Sequence, residues 1–204
     1  IQKRLSKYPV SEQIWDEYHL DQEINDRGIA LDMVMVENAI LFDERSRSDL
    51  TASMQDITDV DNPNSVAQMK QWLSDNGIET ESLGKKDVAK LIEDTSGKVE
   101  DALRLRLQLA KSSVKKHQAM QNAVCKDGRA HGMFQFYGAN RSGRWAGRLI
   151  QLQNLPQNHM KGLAEVREIV RSGDYETMEL LYDDIPGALS QLIRTAFVVR
   201  DGIS

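Results

Sequence analysis

The chain has 204 residues, 40% of them hydrophobic and 28% charged, with a formal net charge of -5, which suits a globular protein with one sizeable core or two small domains. No apolar run approaches the roughly 18 residues of a membrane span, and the opening IQKRLSKYPV lacks the apolar core of a signal peptide. A single cysteine, Cys125, excludes an internal disulfide, fits a reducing cytosol and reads as an ordinary half-buried thiol, because the spacing of His117 and His131 around it fits no zinc pattern.

In chain order, Val10, Ile14, Tyr18, Leu20 and Ile24 recur at helical spacing, Ser11 reads as the start of that helix and Gly28 as its stop. IALD is a short extended link. Asp32 is then a candidate N-cap for a long helix to about residue 56 through Val36, Ala39, Ile40, Phe42 and Leu50. Asp61-Asn62-Pro63-Asn64 is a turn, and Ser65 caps a helix over Val66, Met69, Trp72 and Leu73 that Gly77 ends. Ser82-Leu83-Gly84-Lys85-Lys86 lacks the glycine spacing and the Lys-Ser/Thr ending of a nucleotide loop.

From Lys98 to about Gln121 no glycine or proline interrupts the apolar positions, and one long helix is expected. Leu103 and Leu107 share a face, leaving Arg104, Lys111, Lys115 and Lys116 as a basic stripe off it. Residues 133–138 then alternate between glycines, predicting a strand, a turn at Gly138-Ala139-Asn140 and a second short strand about Arg144. Phe134, Phe136 and Tyr137 read as sheet core. Helical stretches follow at about residues 162–171, 175–182 and 186–194.

The charge is segregated along this order. Residues 1–103 hold 11 basic and 22 acidic side chains, residues 104–148 hold ten basic and one acidic, and residues 149–204 hold five basic and eight acidic. Such an island is either a solvated face or the footprint of a phosphate-binding surface. It adjoins RSGRWAGRLIQLQNLP (residues 141–156), which carries three arginines, two glycines and no acid. Arginine offers a fixed fork of donors to phosphate or base edges, glycine allows close backbone approach, and Gln153 and Asn154 both donate and accept. Nucleic acid is the partner this chemistry suits.

The same segment resembles TGRLSSxxPNLQNIP of the family A DNA polymerases. Without a gap, Ser142-Gly143-Arg144 matches TGR and Leu152-Gln153-Asn154-Leu155-Pro156 matches LQNIP, in wording most similar to the phage-type members. Ala146 and Gly147 stand in place of the two serines, Ile150 in place of the proline and Gln151 in place of the first asparagine. EINDRGIALD resembles the helix and turn that open the family's polymerase region after its exonuclease-like domain. LAKSS (residues 109–113) resembles the LxKLKST element of the thumb, and IRTAFV (193–198) resembles the IRRAFI that leads into the first catalytic strand of the palm.

The resemblance implies an α+β, mostly α fold: a helical thumb and a small antiparallel sheet at the start of the palm. Residues 1–31 would be the opening helix and link, 32–125 the thumb-like part, and 126–204 the N-terminal part of the palm, with a phage-like helical insertion at about 160–192. It implies the portion that holds the primer-template duplex in a DNA-directed DNA polymerase. Lys111, Ser112, Ser113, Lys115 and Lys116 would meet backbone phosphates, and Arg144, Gln153 and Asn154 would lie along the minor groove near the primer end, with Arg141 and Arg148 also on DNA. The parent would use dNTPs and magnesium in the cytoplasm of a host cell, without a membrane. The upstream exonuclease-like domain and the downstream palm and fingers would be missing, and Asp201 lacks the context of the family's metal-binding aspartate. The 204-residue piece would therefore carry no catalytic residue, bind no catalytic metal and be inactive alone. The rival reading is a stand-alone, non-enzymatic nucleic-acid-binding module.

Overall fold

The helix that Asp32 opens runs through the structure as its longest element, and the other elements pack along it. The computed structural model describes residues 7–112 and 114–199. Ser11 precedes α1 (Glu12–Arg27), and Gly28, at φ 63°, ends it with its N–H on the Ile24 carbonyl, a left-handed stop that glycine takes without steric cost. β1 (Ile29–Ala30) is the extended link. Asp32 then caps α2 (Met33–Thr58), accepting from the Met35 N–H at 3.3 Å. The same carboxylate accepts from Arg171 at 3.2 Å and from Arg167, so the cap also gathers a helix from the C-terminal third.

Ser65 caps α3 (Val66–Asp75), and Gly84 precedes α4 (Lys85–Glu93), so the Ser82–Lys86 stretch is a helix start. α5 (Lys98–Leu109) and α6 (Lys115–Ala123) come next. β2 (Arg129–Ala130), β3 (Phe134–Ala139) and β4 (Arg144–Gly147) are followed by a 3-10 turn at Leu152–Asn154. α7 (Leu163–Ser172), α8 (Tyr175–Leu181), α9 (Ile185–Leu192) and a 3-10 turn at Ile193–Ala196 complete the described chain. The fold is α+β and mostly α, as the resemblance implies.

Two small antiparallel sheets supply the β part. β1 pairs with β2 (Ile29 with Ala130, Ala30 with Arg129), and β3 pairs with β4 (Phe134 with Gly147, Gln135 with Ala146, Ala139 with Arg144). An isolated bridge from Leu31 to Phe197 brings the end of IRTAF beside the start of α2. The first half of α2 buries Met35, Val36, Ala39 and Phe42 in a core shared with Met120, Ile150, Val166 and Leu189. Its second half contributes Met54 to a smaller cluster with Met69 and Leu109, next to a third formed by Leu73, Val88 and Leu103. At roughly 1.5–3 kcal/mol for each large apolar side chain buried, α2 is tied to both ends of the molecule by its own two halves.

The expected single helix over residues 98–121 is two helices. Its break after Leu109 has a cause 62 residues upstream in sequence. The Lys111 N–H donates to Gln108, tightening the last turn of α5, while the Arg47 guanidinium takes the Leu109 carbonyl at 2.9 Å and the Lys111 carbonyl at 2.6 Å. Asp43, one turn back on α2, holds Arg47 at 2.7 Å. Carbonyls that would have accepted helical N–H groups are satisfied by a half-buried cation, which favours a helix C-terminus. The basic residues of this region therefore do not form one stripe. Cys125 is exposed, not half-buried.

Candidate nucleic-acid interface

The hairpin of β3 and β4 has two unlike faces. Phe134 and Phe136 pack against Trp145, with ring centroids 6.3 and 6.5 Å apart, and Phe136 meets Tyr18 of α1 at 6.0 Å. Asn25 completes this docking: its side-chain carbonyl accepts from the Phe134 N–H at 2.9 Å and its amide donates to the Phe134 carbonyl at 3.0 Å. The alternation of the strands places Gln135, Arg144 and Arg148 on the other face, and Arg148 donates to the Gln135 side chain there. Phe134 and Phe136 do belong to the packed face, but Tyr137 is 52% exposed.

Beyond β4 the backbone alternates between ordinary and left-handed conformations. Leu149 (φ 53°) and Gln151 (φ 56°) flank Ile150, which is fully buried. Holding a non-glycine residue there costs about 1–3 kcal/mol, and burial of Ile150 offsets part of it. The Lys116 ammonium donates to the Ile150 carbonyl at 2.8 Å, fixing the same point from α6. Gln151 then donates its N–H to Arg148, and Asn154 to Gln151, closing the 3-10 turn that presents Gln153 and Asn154. The Asn154 amide rests on the Gln151 side chain at 3.0 Å. The Gln153 amide lies across Gly147 so closely that a Cβ there would fall 1.9 Å from its oxygen. A side chain at 147 would push the Gln153 amide from this position.

Arg141, Arg144, Arg148, Gln153 and Asn154 are thus exposed together on the hairpin and the turn after it. The side chains of Arg141 and Arg144 make no ion pair or hydrogen bond among the described residues. The lysines differ from one another. Lys111 is ion-paired with Asp184, the N-cap of α9, and Lys116 is spent on Ile150, whereas Lys115 is exposed and unpaired among the described residues. Ser112 is exposed; Ser113 and Asp201 lie outside the described residues.

Much of the basic island is structural. Arg106 donates to the Pro63 carbonyl at 3.0 Å and its burial lowers its pKa. Arg129 holds the Arg27 and Gly28 carbonyls at 2.6 and 2.9 Å, and Arg104 pairs with Glu100. Lys115, Lys126, Arg141 and Arg144 remain as the uncommitted cations of residues 104–148. Composition alone could not separate these groups, because the partners of Arg106 and Arg129 are backbone carbonyls of distant segments.

Lys111 lines a cleft with Asp183 and Asp184, and two other clefts lie away from the cluster. One is lined by Asp59, Asp61 and Asp75 and another by Asp49, Glu179 and Asp183, a charge that repels phosphate. Among the described residues no group of three or more His, Cys, Asp or Glu side chains is placed to hold a metal ion, and no helix is long and apolar enough to cross a membrane. What the exposed cluster can do chemically is bind an anionic, hydrogen-bonding surface.

No family model matches the chain, and no solved structure matches it. Among curated proteins it is similar to one named DNA polymerase from Bacillus phage SP02, with 48% identity over 203 residues. That alignment covers 99% of this chain and 31% of the phage protein, so the chain spans about a third of its relative's length.

Proposed function

We propose that this chain is the primer-template-holding part of a family A, phage-type DNA polymerase, comprising its thumb and the first part of its palm. The similarity to a phage DNA polymerase supports the enzyme. The observation that carries the duplex-holding role is that Arg141 and Arg144 stand exposed and unpaired on a hairpin whose following turn is locked. Uncommitted guanidinia on a rigid support suit a polyanion, because no internal ion pair must be broken when the ligand arrives.

In this reading Lys115, Arg141 and Arg148 neutralise phosphates, which position a duplex without reading its sequence. Arg144, Gln153 and Asn154 meet minor-groove acceptors, whose degenerate pattern lets a polymerase test pair geometry without choosing a base. The whole polymerase would join a dNTP to a primer in the host cytoplasm. Magnesium would supply charge stabilisation at the transferred phosphate. Its ligands would come from elsewhere in the enzyme.

Binding of a primer-template by the 204-residue chain, measured against salt, tests the role. Log K should fall linearly with log salt, at about 0.9 per phosphate neutralised. Affinity that does not depend on salt would contradict it.

A further inference from the structure

Tyr137 is held in solvent at a cost that core packing does not explain. Between the pairs Gln135–Ala146 and Ala139–Arg144, β3 has more residues than β4, so it bulges at Phe136, Tyr137 and Gly138. A bulge re-aims a side chain, and here the backbone of Tyr137 is left-handed at φ 53°. Gly138 permits it: a Cβ there would lie 2.5 Å from that of Ala146. Gly143, at φ 65°, permits it again, since a Cβ would fall 2.8 Å from the Tyr137 ring. One left-handed tyrosine and two glycines thus combine to seat a ring at the hairpin tip that remains 52% exposed. One edge of the ring meets Phe136, with centroids 5.0 Å apart, while Phe136 packs on Trp145 and on Tyr18 of α1.

The surroundings say what such a ring meets. Arg144 directly follows the glycine under the ring, Arg141 lies two residues before that glycine, and both are uncommitted among the described residues. Asn140 and Ser142 complete the tip, and the sequence holds no acid from residue 128 to residue 164. A protein partner would want an apolar rim around the ring. This rim is cationic and hydrogen-bonding, as for a nucleotide, where a base stacks on the aromatic ring while guanidinia take the phosphates.

Resting on the duplex-holding reading above, we infer that Tyr137 is a stacking platform for an unpaired base of the bound DNA, next to a phosphate held by Arg141. A paired base inside a duplex has both faces covered by its neighbours. The ring therefore selects an overhang or a frayed end.

The test compares two fluorescent DNAs on the 204-residue chain, a blunt duplex and the same duplex with a single-stranded template overhang. The unsubstituted chain should prefer the overhang by roughly five- to a hundredfold, the range of stacking on one aromatic residue. Tyr137→Gly should remove that preference and leave blunt-duplex affinity unchanged. Because glycine accepts φ 53° without strain, which offsets the freedom it adds to the unfolded chain, this variant should melt at about the same temperature, which separates lost stacking from lost folding. Tyr137→Phe should keep the preference. An overhang preference that survives Tyr137→Gly would overturn the inference alone and leave the ring to a protein contact. Failure of the unsubstituted chain to bind either DNA would overturn the duplex-holding reading, and this inference with it.

Discussion

Arg194 holds the turn that presents Gln153 and Asn154: its Nε donates to the Pro156 carbonyl at 2.7 Å and its Nη2 to the Leu155 carbonyl at 3.0 Å. IRTAFV and LQNLP, two separate motifs in the sequence, are by this contact one structural unit. The Asp32 N–H extends it by donating to the Ala196 carbonyl at 2.8 Å, so the start of α2 is fastened to the same segment.

Arg194→Met should lower stability by about 1.5–3 kcal/mol, the range for hydrogen bonds from a charged donor, with a matching fall in the urea midpoint. Arg194→Lys should recover less than half, because one ammonium cannot hold two carbonyls in the geometry of the fork. Duplex affinity should fall with both variants as the Gln153–Asn154 turn loosens. Full stability in Arg194→Met would show that the carbonyl clamp is dispensable.

Lys111, Lys115 and Lys116 should separate in one salt titration. Lys115→Ala should flatten the slope of log K against log salt by about 0.9, one phosphate contact, and leave the melting temperature alone. Lys111→Ala and Lys116→Ala should lower the melting temperature, since Asp184 and the Ile150 carbonyl lose their partners, and should leave the slope as it was. Equal slope changes in all three would mean that DNA displaces the internal contacts of Lys111 and Lys116.

His117 is fully buried with neither ring nitrogen hydrogen-bonded among the described residues, and burial lowers its pKa from 6.5 to about 4. Below pH 6.5 the unfolded chain takes a proton that the folded chain refuses. Stability therefore falls as the pH drops from about 6.5 to about 4, by about 3 kcal/mol in total, at about 1.4 kcal/mol for each pH unit between the two values. His117→Leu should remove this component and raise stability at pH 5. Urea melts of both proteins at pH 7 and pH 5 measure it, and an equal loss in both would place the pH dependence elsewhere.

Local chemistry was legible in the sequence where the structure depends on neighbours. Ser11, Asp32 and Ser65 announce helix starts and Gly28 a stop, because caps act within one turn of the chain. The β3–β4 hairpin showed in its alternation. The break between α5 and α6 did not, because the Arg47 that takes the freed carbonyls lies on another helix. Nor did the β1–β2 pairing, two residues from each of two segments far apart in sequence. Within the candidate interface, the Arg/Gln/Asn segment stood out by composition. Which cations were free did not, since Lys111, Lys116, Arg106 and Arg129 are committed by contacts between distant elements. Tyr137 was hidden among aromatic residues of the hairpin, and the bulge that turns it outward is signalled only by the glycines at 138 and 143.

The central claim is most directly tested at Arg144, which has no acidic partner among the described residues and so no ion pair of its own to lose. In a full-length polymerase carrying this chain, single-turnover primer extension by Arg144→Ala should slow by roughly ten- to a hundredfold, equivalent to about 1.5–3 kcal/mol for a charged hydrogen bond made in the reacting geometry. Duplex affinity should fall less than the rate, the melting temperature should not move, and Arg144→Lys should recover part of the rate. An unchanged extension rate in a folded Arg144→Ala enzyme would contradict the placement of this hairpin at the primer end.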